Sequence, residues 1–198
     1  MSSLMKRAQD KLHGREIKTD IYQVDDNYIL AEGQLIDQRT KAYQLLSGEE
    51  KLPGYLHFLK VRLLIEIPKM VIQDLEVELE VVPREECRQI QEAFQVLKGL
   101  TITSGFTSKV RGLLGGIKGC THLLHLIIVM APAIMQGYWS YNASKPLENR
   151  KKELRQVAKD RIPLLYKILK NTCYVWREDG FAFRNLKETI RKVRETNK

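Results

Sequence analysis

The fold is decided by residues 56–82, which read LHFLKVRLLIEIPKMVIQDLEVELEVV. Two apolar runs rich in β-branched residues flank Pro68 and the residue after it, a two-residue turn signal that predicts a hairpin. In the second run apolar residues alternate with Glu76, Glu78 and Glu80, so one face of the strand is buried and the other is acidic. This pattern predicts an antiparallel sheet with one face in water.

The rest of the chain extends the sheet and then changes to helical spacing. After Pro83 the apolar residues recur with a period near 3.6, and a later apolar helix is predicted to kink at Pro132. The predicted elements are strands at residues 17–24, 28–37, 56–67 and 70–82, and helices at residues 84–97, within 101–118 and at 121–139. We therefore predict an α+β fold, with an antiparallel sheet of about four strands followed by packed helices.

The C-terminal part differs from the rest in charge. Residues 1–144 hold 17 Lys plus Arg against 17 Asp plus Glu, and residues 145–198 hold 16 against 7, so the net charge of +9 falls in the last 54 residues. We expect residues 1–144 to form the α+β domain with the candidate site. Residues 145–198 are predicted to form a basic, mainly helical extension packed on the same domain, with helices at 147–157 and 186–196 and a short helical or turn segment at 163–169. Such a basic region indicates a solvated face, or a surface for nucleic acid, acidic lipid or an acidic partner protein.

Cysteine usage and apolar runs suggest a cytoplasmic protein. Cys87, Cys120 and Cys173 are too few and too far apart for a secreted disulfide framework. The first 15 residues lack the apolar core of a secretory signal, so we expect no export. The apolar run at residues 123–139 is shorter than the roughly 20 residues of a membrane span, and we predict a buried core helix there and no membrane span.

The segment whose side chains are best suited to metal binding or nucleophilic attack is residues 115–124, GGIKGCTHLL. It is a glycine-rich loop that leads Cys120 and His122 into the long helix. A helix N-terminus favours negative charge, which biases a cysteine there toward thiolate. Cys87 is predicted at another helix start, close to Cys120, and Cys173 is a possible fourth member. This set of soft donors suits zinc or an iron–sulfur cluster. The alternative is a buried thiol beside a histidine that caps the helix.

Other candidate chemistries have weaker support in the sequence. No P-loop, GxGxxG or GxSxG pattern is present, which disfavours nucleotide hydrolysis, a Rossmann cofactor site and an α/β-hydrolase triad. His125 lies within the apolar run and is predicted to be a core residue. Four acidic residues near the first strands lack the spacing of a calcium loop and are predicted to lie in turns or on the surface: Asp25, Asp26, Glu32 and Asp37.

Several short segments together resemble an uncharacterised bacterial family of unknown function. They are Gly-Cys-Thr-His-Leu from Gly119, Leu-Ile-Asp ending at Asp37 and followed by Thr40-Lys41, His57 ahead of a strand that contains Arg62, and the late Cys173. The resemblance spans roughly residues 17–180, and it matches the family at Cys87, Cys120, His122 and Cys173. It implies an intracellular bacterial setting and supports a Cys/His site, while it implies no reaction.

The order of elements is also similar to that of iron–sulfur scaffold proteins of the NifU type. Both have a strand meander, a cysteine after the last strand and a Cys/His pair at a later helix start. The chain departs from that family because it has Cys-Thr-His instead of an adjacent His-Cys and lacks an early cysteine in the sheet. The similarity therefore concerns architecture and does not supply the cluster ligands.

Two functional hypotheses follow from the sequence. The first is a cytoplasmic metal- or thiol-dependent protein centred on Cys87, Cys120 and His122, with Cys173 as a possible fourth member. The alternative is a non-enzymatic binding module whose basic C-terminal region, residues 145–198, contacts nucleic acid or an acidic partner. Aromatic and basic residues interleave in that region, which suits base stacking with phosphate contacts.

Overall fold

A computed structural model describes residues 2–146, 170–171 and 173–195. The chain forms two compact units, Met1–Trp139 and Ser140–Lys198. The strands are β1 His13–Gln23, β2 Tyr28–Arg39, β3 Tyr43–Gln44, β4 Glu50–Lys51, β5 Gly54–Glu66 and β6 Val71–Val81. The α-helices are α1 Phe106–Leu114, α2 Thr121–Ser144 and α3 Phe181–Glu195, and 3-10 helices cover Met5–Arg7, Glu85–Leu97 and Gly116–Lys118.

The four long strands form one antiparallel sheet in the order β1-β2-β5-β6, and β3 and β4 form a separate two-stranded ribbon. The predicted α+β fold with a sheet of about four antiparallel strands is therefore confirmed. The helix predicted at residues 84–97 forms as the 3-10 helix Glu85–Leu97. Helix α2 continues through Pro132. The segments predicted at 147–157 and 163–169 lie outside the described residues.

The core face of the sheet follows the two-residue alternation of its strands. On β2, Ile29, Ala31 and Leu35 are at most 1% exposed, and Leu59, Val61, Leu63 and Ile65 continue the same face on β5. The opposite face carries charge, because Arg62 forms ion pairs with Glu32 and Glu78 from the two neighbouring strands. One apolar face therefore has to be covered, and the other stays polar.

Helix α2 covers the core face, and two glycines set how closely it approaches. A Cβ atom built on Gly33 of β2 would lie 2.3 Å from Met130 Sδ, and one built on Gly137 of α2 would lie 2.5 Å from Ile21 Cγ2 of β1. These contacts fix the helix along β1 and β2. Met130 lies about 12 Å along the helix from its first turn, and Gly33 lies about 13 Å from the C-terminal end of the β2 core face. The first turn of α2 is thereby placed over that end of the sheet.

Helix α2 is also the one helix of the described residues that is long and apolar enough to cross a membrane, with a mean hydropathy of 1.4 and 39% of its apolar window buried. Core helices of soluble proteins share this length and composition. Leu123, Leu126, Ile127, Met130 and Ile134 are fully buried along it. Their spacing is that of a helix face packed on a core.

Replacing Gly137 with alanine is expected to lower the free energy of unfolding by about 1–3 kcal/mol, because the new methyl group overlaps Ile21. Urea denaturation of the wild type and the variant measures this change. Gly112→Ala in α1 is the matched control, since nothing lies within 4 Å of a Cβ there, and alanine should stabilise that helix by up to about 1 kcal/mol. Equal stabilisation by both substitutions would contradict the close approach of α2 to β1.

Candidate metal centre

A row of polar side chains crosses the sheet at the C-terminal end of β2. Asp37 pairs directly with Arg15 on β1 and with His57 on β5, and residues opposed in this way point to the same face of an antiparallel sheet. Asp37 continues the buried positions Ile29 to Leu35 and is 1% exposed, the one buried charged residue among those that the structure describes. A charge in this position requires strong compensation.

The regular register ends just beyond this row. Asp37 pairs with His57, whereas the next residue, Gln38, pairs with Tyr55, so Leu56 is an extra residue on β5. Such a bulge bends the strand and changes the direction of nearby side chains. It marks the end of the apolar core face and the start of the polar cluster.

Arg15 supplies the main compensation for the Asp37 carboxylate. Its Nε donates to Oδ1 at 2.6 Å and its Nη2 donates to Oδ2 at 2.7 Å, a bidentate pair. His57 Nδ1 donates to Oδ2 at 2.9 Å, and His13 Nε2 lies 3.3 Å from Oδ1. The Arg15 hydrogen bonds outweigh burial and lower the pKa of Asp37 from 3.8 to about 2.

His122 reaches the cluster from the second residue of α2. Its Nε2 lies 3.9 Å from Asp37 Oδ2, and its ring centroid lies 3.8 Å from that of His57 with the rings tilted by 33°. Its Nδ1 lies 3.9 Å from Cys120 Sγ. Burial, followed by the neighbouring His57 and Arg15, lowers the pKa of His122 below its usual value. The lowered pKa favours the neutral imidazole, which is the form that binds metals.

Asp37, His57 and His122 form a group that could hold a metal ion, since each offers one ligand atom and these atoms lie within 4.8 Å of one another. Neighbouring nitrogen ligands of a tetrahedral zinc ion lie about 3.4 Å apart, so small side-chain movements close the site. In one arrangement Asp37 would bind the ion directly and would give up a hydrogen bond from Arg15. In the other, Asp37 would keep its contact with His57 Nδ1 and leave His57 Nε2 for the ion, a common outer-shell role for carboxylates.

The structure brings together one pair of the predicted site residues, Cys120 and His122. Cys87 is half-buried in the 3-10 helix Glu85–Leu97, and Cys173 is exposed in the C-terminal unit. None of the three cysteines belongs to the metal-ligand group that the described residues form. Joint ligation by Cys87, Cys120, His122 and Cys173 stays a prediction. The group supplies nitrogen and oxygen donors, which suit zinc, whereas iron–sulfur clusters are held mainly by thiolates.

Two predictions for single residues were wrong. Asp37 was expected in a turn or on the surface, but it is buried because it shares the inward-facing positions of β2. His125 was expected in the core, but it is exposed on α2. Sequence reasoning could have found Asp37 as an acidic residue on an apolar strand face. Identifying Arg15 and His57 as the neighbours of Asp37 requires the strand register, including the bulge at Leu56.

Comparison with known protein families assigns most of the N-terminal unit, Met1–Trp139, to one family. The model of a family described as protein of unknown function (DUF2889) matches residues 13–136. The matched range includes the metal-ligand group and Cys120 but ends before Cys173. The comparisons with curated proteins and with solved structures found no match.

Asp37→Asn is expected to lower the free energy of unfolding by about 2 kcal/mol at neutral pH, because it removes the charge that Arg15 compensates. The folded-state pKa lies below the unfolded value, so this stabilisation is complete above about pH 4 and is lost as the pH falls toward 2. Urea denaturation across this range should show the wild type and the variant converging.

The control is Asp20→Asn, which removes the partner of the exposed Lys18. Surface pairs contribute little, so its effect should be small and well below that of Asp37→Asn at neutral pH. If Asp37→Asn has no larger effect than this control, Asp37 is not the compensated buried charge described above.

Proposed function

The chain belongs to the DUF2889 family, and we propose that it is a metal-dependent protein whose centre is formed by Asp37, His57 and His122. The ion that best fits two imidazoles and a carboxylate is a divalent transition metal of the zinc class. The observation that carries the proposal is the convergence of these three donors from β2, β5 and the first turn of α2.

The electrostatics of the cluster support this proposal. Two imidazole rings 3.8 Å apart repel each other when both are protonated, and the lowered pKa of His122 reflects its burial and the neighbouring His57. A cation shared between two neutral rings uses the same geometry without that repulsion. Asp37 supplies the negative charge, and its contact with His57 Nδ1 fixes the tautomer that leaves Nε2 free.

The centre suits a catalytic role better than a purely structural one. Whether Asp37 binds the ion directly or holds His57 from the outer shell, the protein supplies at most three ligands, so at least one position on a tetrahedral ion would be open. Zinc sites of this kind lower the pKa of bound water and polarise substrate oxygens. The side chains of His57 and His122 are 13% and 30% exposed, so a small molecule can reach the rings. Arg15 lies on the other side of Asp37 and holds the carboxylate in place.

A second candidate function uses the thiol of Cys120. Its Sγ lies 3.9 Å from His122 Nδ1, and His122 Nε2 lies 3.9 Å from Asp37 Oδ2. This order of thiol, imidazole and carboxylate is that of an activated cysteine nucleophile, in which the imidazole accepts the thiol proton and the carboxylate orients the ring. Both candidates use His122, so a variant at Cys120 is needed to separate them.

We also propose a cytoplasmic setting, which the free state of all three cysteines supports. A nucleic-acid or acidic partner for residues 145–198 stays a prediction, because residues 147–169 of that region lie outside the described part of the chain.

Zinc titration with a competing chelator tests the metal centre. The full chain should bind one zinc ion, and His57→Asn and His122→Asn should each weaken binding at least about 100-fold, since each removes a ligand. His125→Asn is the control, because this exposed histidine lies on the same helix and outside the group. Its affinity for zinc should equal that of the wild type. If the wild type binds no zinc, or His125→Asn weakens binding as much as His122→Asn, the proposed centre is wrong.

Cys120→Ser separates the second candidate from the first. In the metal account this variant retains zinc binding. In the thiol account His122→Asn slows alkylation of Cys120 by iodoacetamide while His125→Asn does not. Equal alkylation rates of Cys120 in the wild type, His122→Asn and His125→Asn would remove the nucleophile hypothesis.

A further inference from the structure

A cleft of about 610 Å³ opens beside the metal-ligand group, and His57 is part of its wall. The charged residues that line it are Arg39, Glu49, Lys51 and Arg84, and Tyr43 is also part of its wall. We propose that this cleft binds a small organic anion, through a phosphate or carboxylate group, and places it next to His57. The proposal deepens the proposed function by naming its substrate class and rests on that function only for what happens at His57.

The charge of the cleft is the first support. Three of the charged residues are cationic, and the single acidic residue, Glu49, pairs with Lys51. Arg39 and Arg84 form no ion pair with any carboxylate of the described residues. Two guanidinium groups that lack a carboxylate partner among the described residues, around one concave surface, attract an anion, because each can donate two parallel hydrogen bonds to a carboxylate or phosphate.

The position of Arg39 is the second support. Its guanidinium carbon lies 3.9 Å from the ring centroid of Tyr43, a cation–π contact that fixes the side chain while its N–H groups at the edge stay free to donate. Arg39 follows Asp37 by two residues on β2, so the two residues share one strand face and their Cα atoms lie about 7 Å apart. An anion held by Arg39 therefore lies within one small molecule's length of the metal-ligand group.

The size and the remaining wall define the kind of anion. Pockets for small molecules commonly measure about 300–1,000 Å³, and this cleft falls within that range. Leu45 and Leu56 add apolar surface beside the charged residues. The cleft thus fits a molecule with an anionic group and an apolar body, such as an aromatic acid or a phosphate ester, better than a bare inorganic ion.

The test titrates the metal-free full chain with benzoate and with phenyl phosphate and follows backbone amide signals by NMR. We expect at least one probe to bind at the cleft and shift the signals of Tyr43 and His57. The better-bound probe tells whether the anion is a carboxylate or a phosphate. Arg39→Gln and Arg84→Gln should each weaken that binding about tenfold or more. Arg111→Gln, at an exposed position on α1 outside the cleft, should leave it unchanged.

The outcomes separate this inference from the proposed metal centre. If neither probe binds, or if Arg39→Gln and Arg84→Gln bind as the wild type does, the anion site is wrong, whatever the zinc result. If the anion binds as expected but zinc does not, the anion site stands and the metal centre fails. Arg84 is exposed, so its substitution tests binding without disturbing the fold, and unchanged amide spectra of the unliganded variants establish this.

Discussion

The bidentate ion pair between Arg15 and Asp37 is the interaction on which the rest of the site depends. A carboxylate at the end of an apolar strand face would be costly to bury alone. Arg15 offsets this cost from the neighbouring strand, and the same carboxylate then holds His57 from the other side. Three neighbouring strands of the sheet, β1, β2 and β5, are thereby joined by one polar row, and the pKa of Asp37 stays low enough to keep it charged under ordinary conditions.

The packing of α2 adds the fourth element to this row. Its two close contacts with the sheet, Met130 at Gly33 and Gly137 at Ile21, fix where the helix begins relative to Asp37. Since His122 is the second residue of α2, its position follows from that packing. The buried apolar contacts of the helix and the chemistry of the site are thus coupled, because a shift of α2 along the sheet would move His122 away from His57.

The sequence predicts the sheet well and the site in part. Residues 56–82 carry an alternation that predicts two paired strands, although the turn between them spans the four residues 67–70 instead of the predicted two. The loop into α2 identifies Cys120 and His122. Asp37 and His57 are 20 residues apart, and only the pairing of β2 with β5, with its bulge at Leu56, brings them together. The predicted cysteine site rests on the rarity and reactivity of thiols, yet the spacing of the cysteines contains no paired motif that would make them neighbours. The sequence therefore shows which residues have reactive side chains, while the strand register determines which of them lie close together.

In the proposed centre two imidazoles, one from the sheet and one from α2, bind the same ion. X-ray absorption at the zinc edge of the full chain loaded with one zinc equivalent measures this most directly. Such a centre should show nitrogen and oxygen donors at about 2.0–2.1 Å, with the outer-shell signature of two imidazole rings. A shell dominated by sulfur at about 2.3 Å would contradict it and favour the thiolate set predicted from the cysteines.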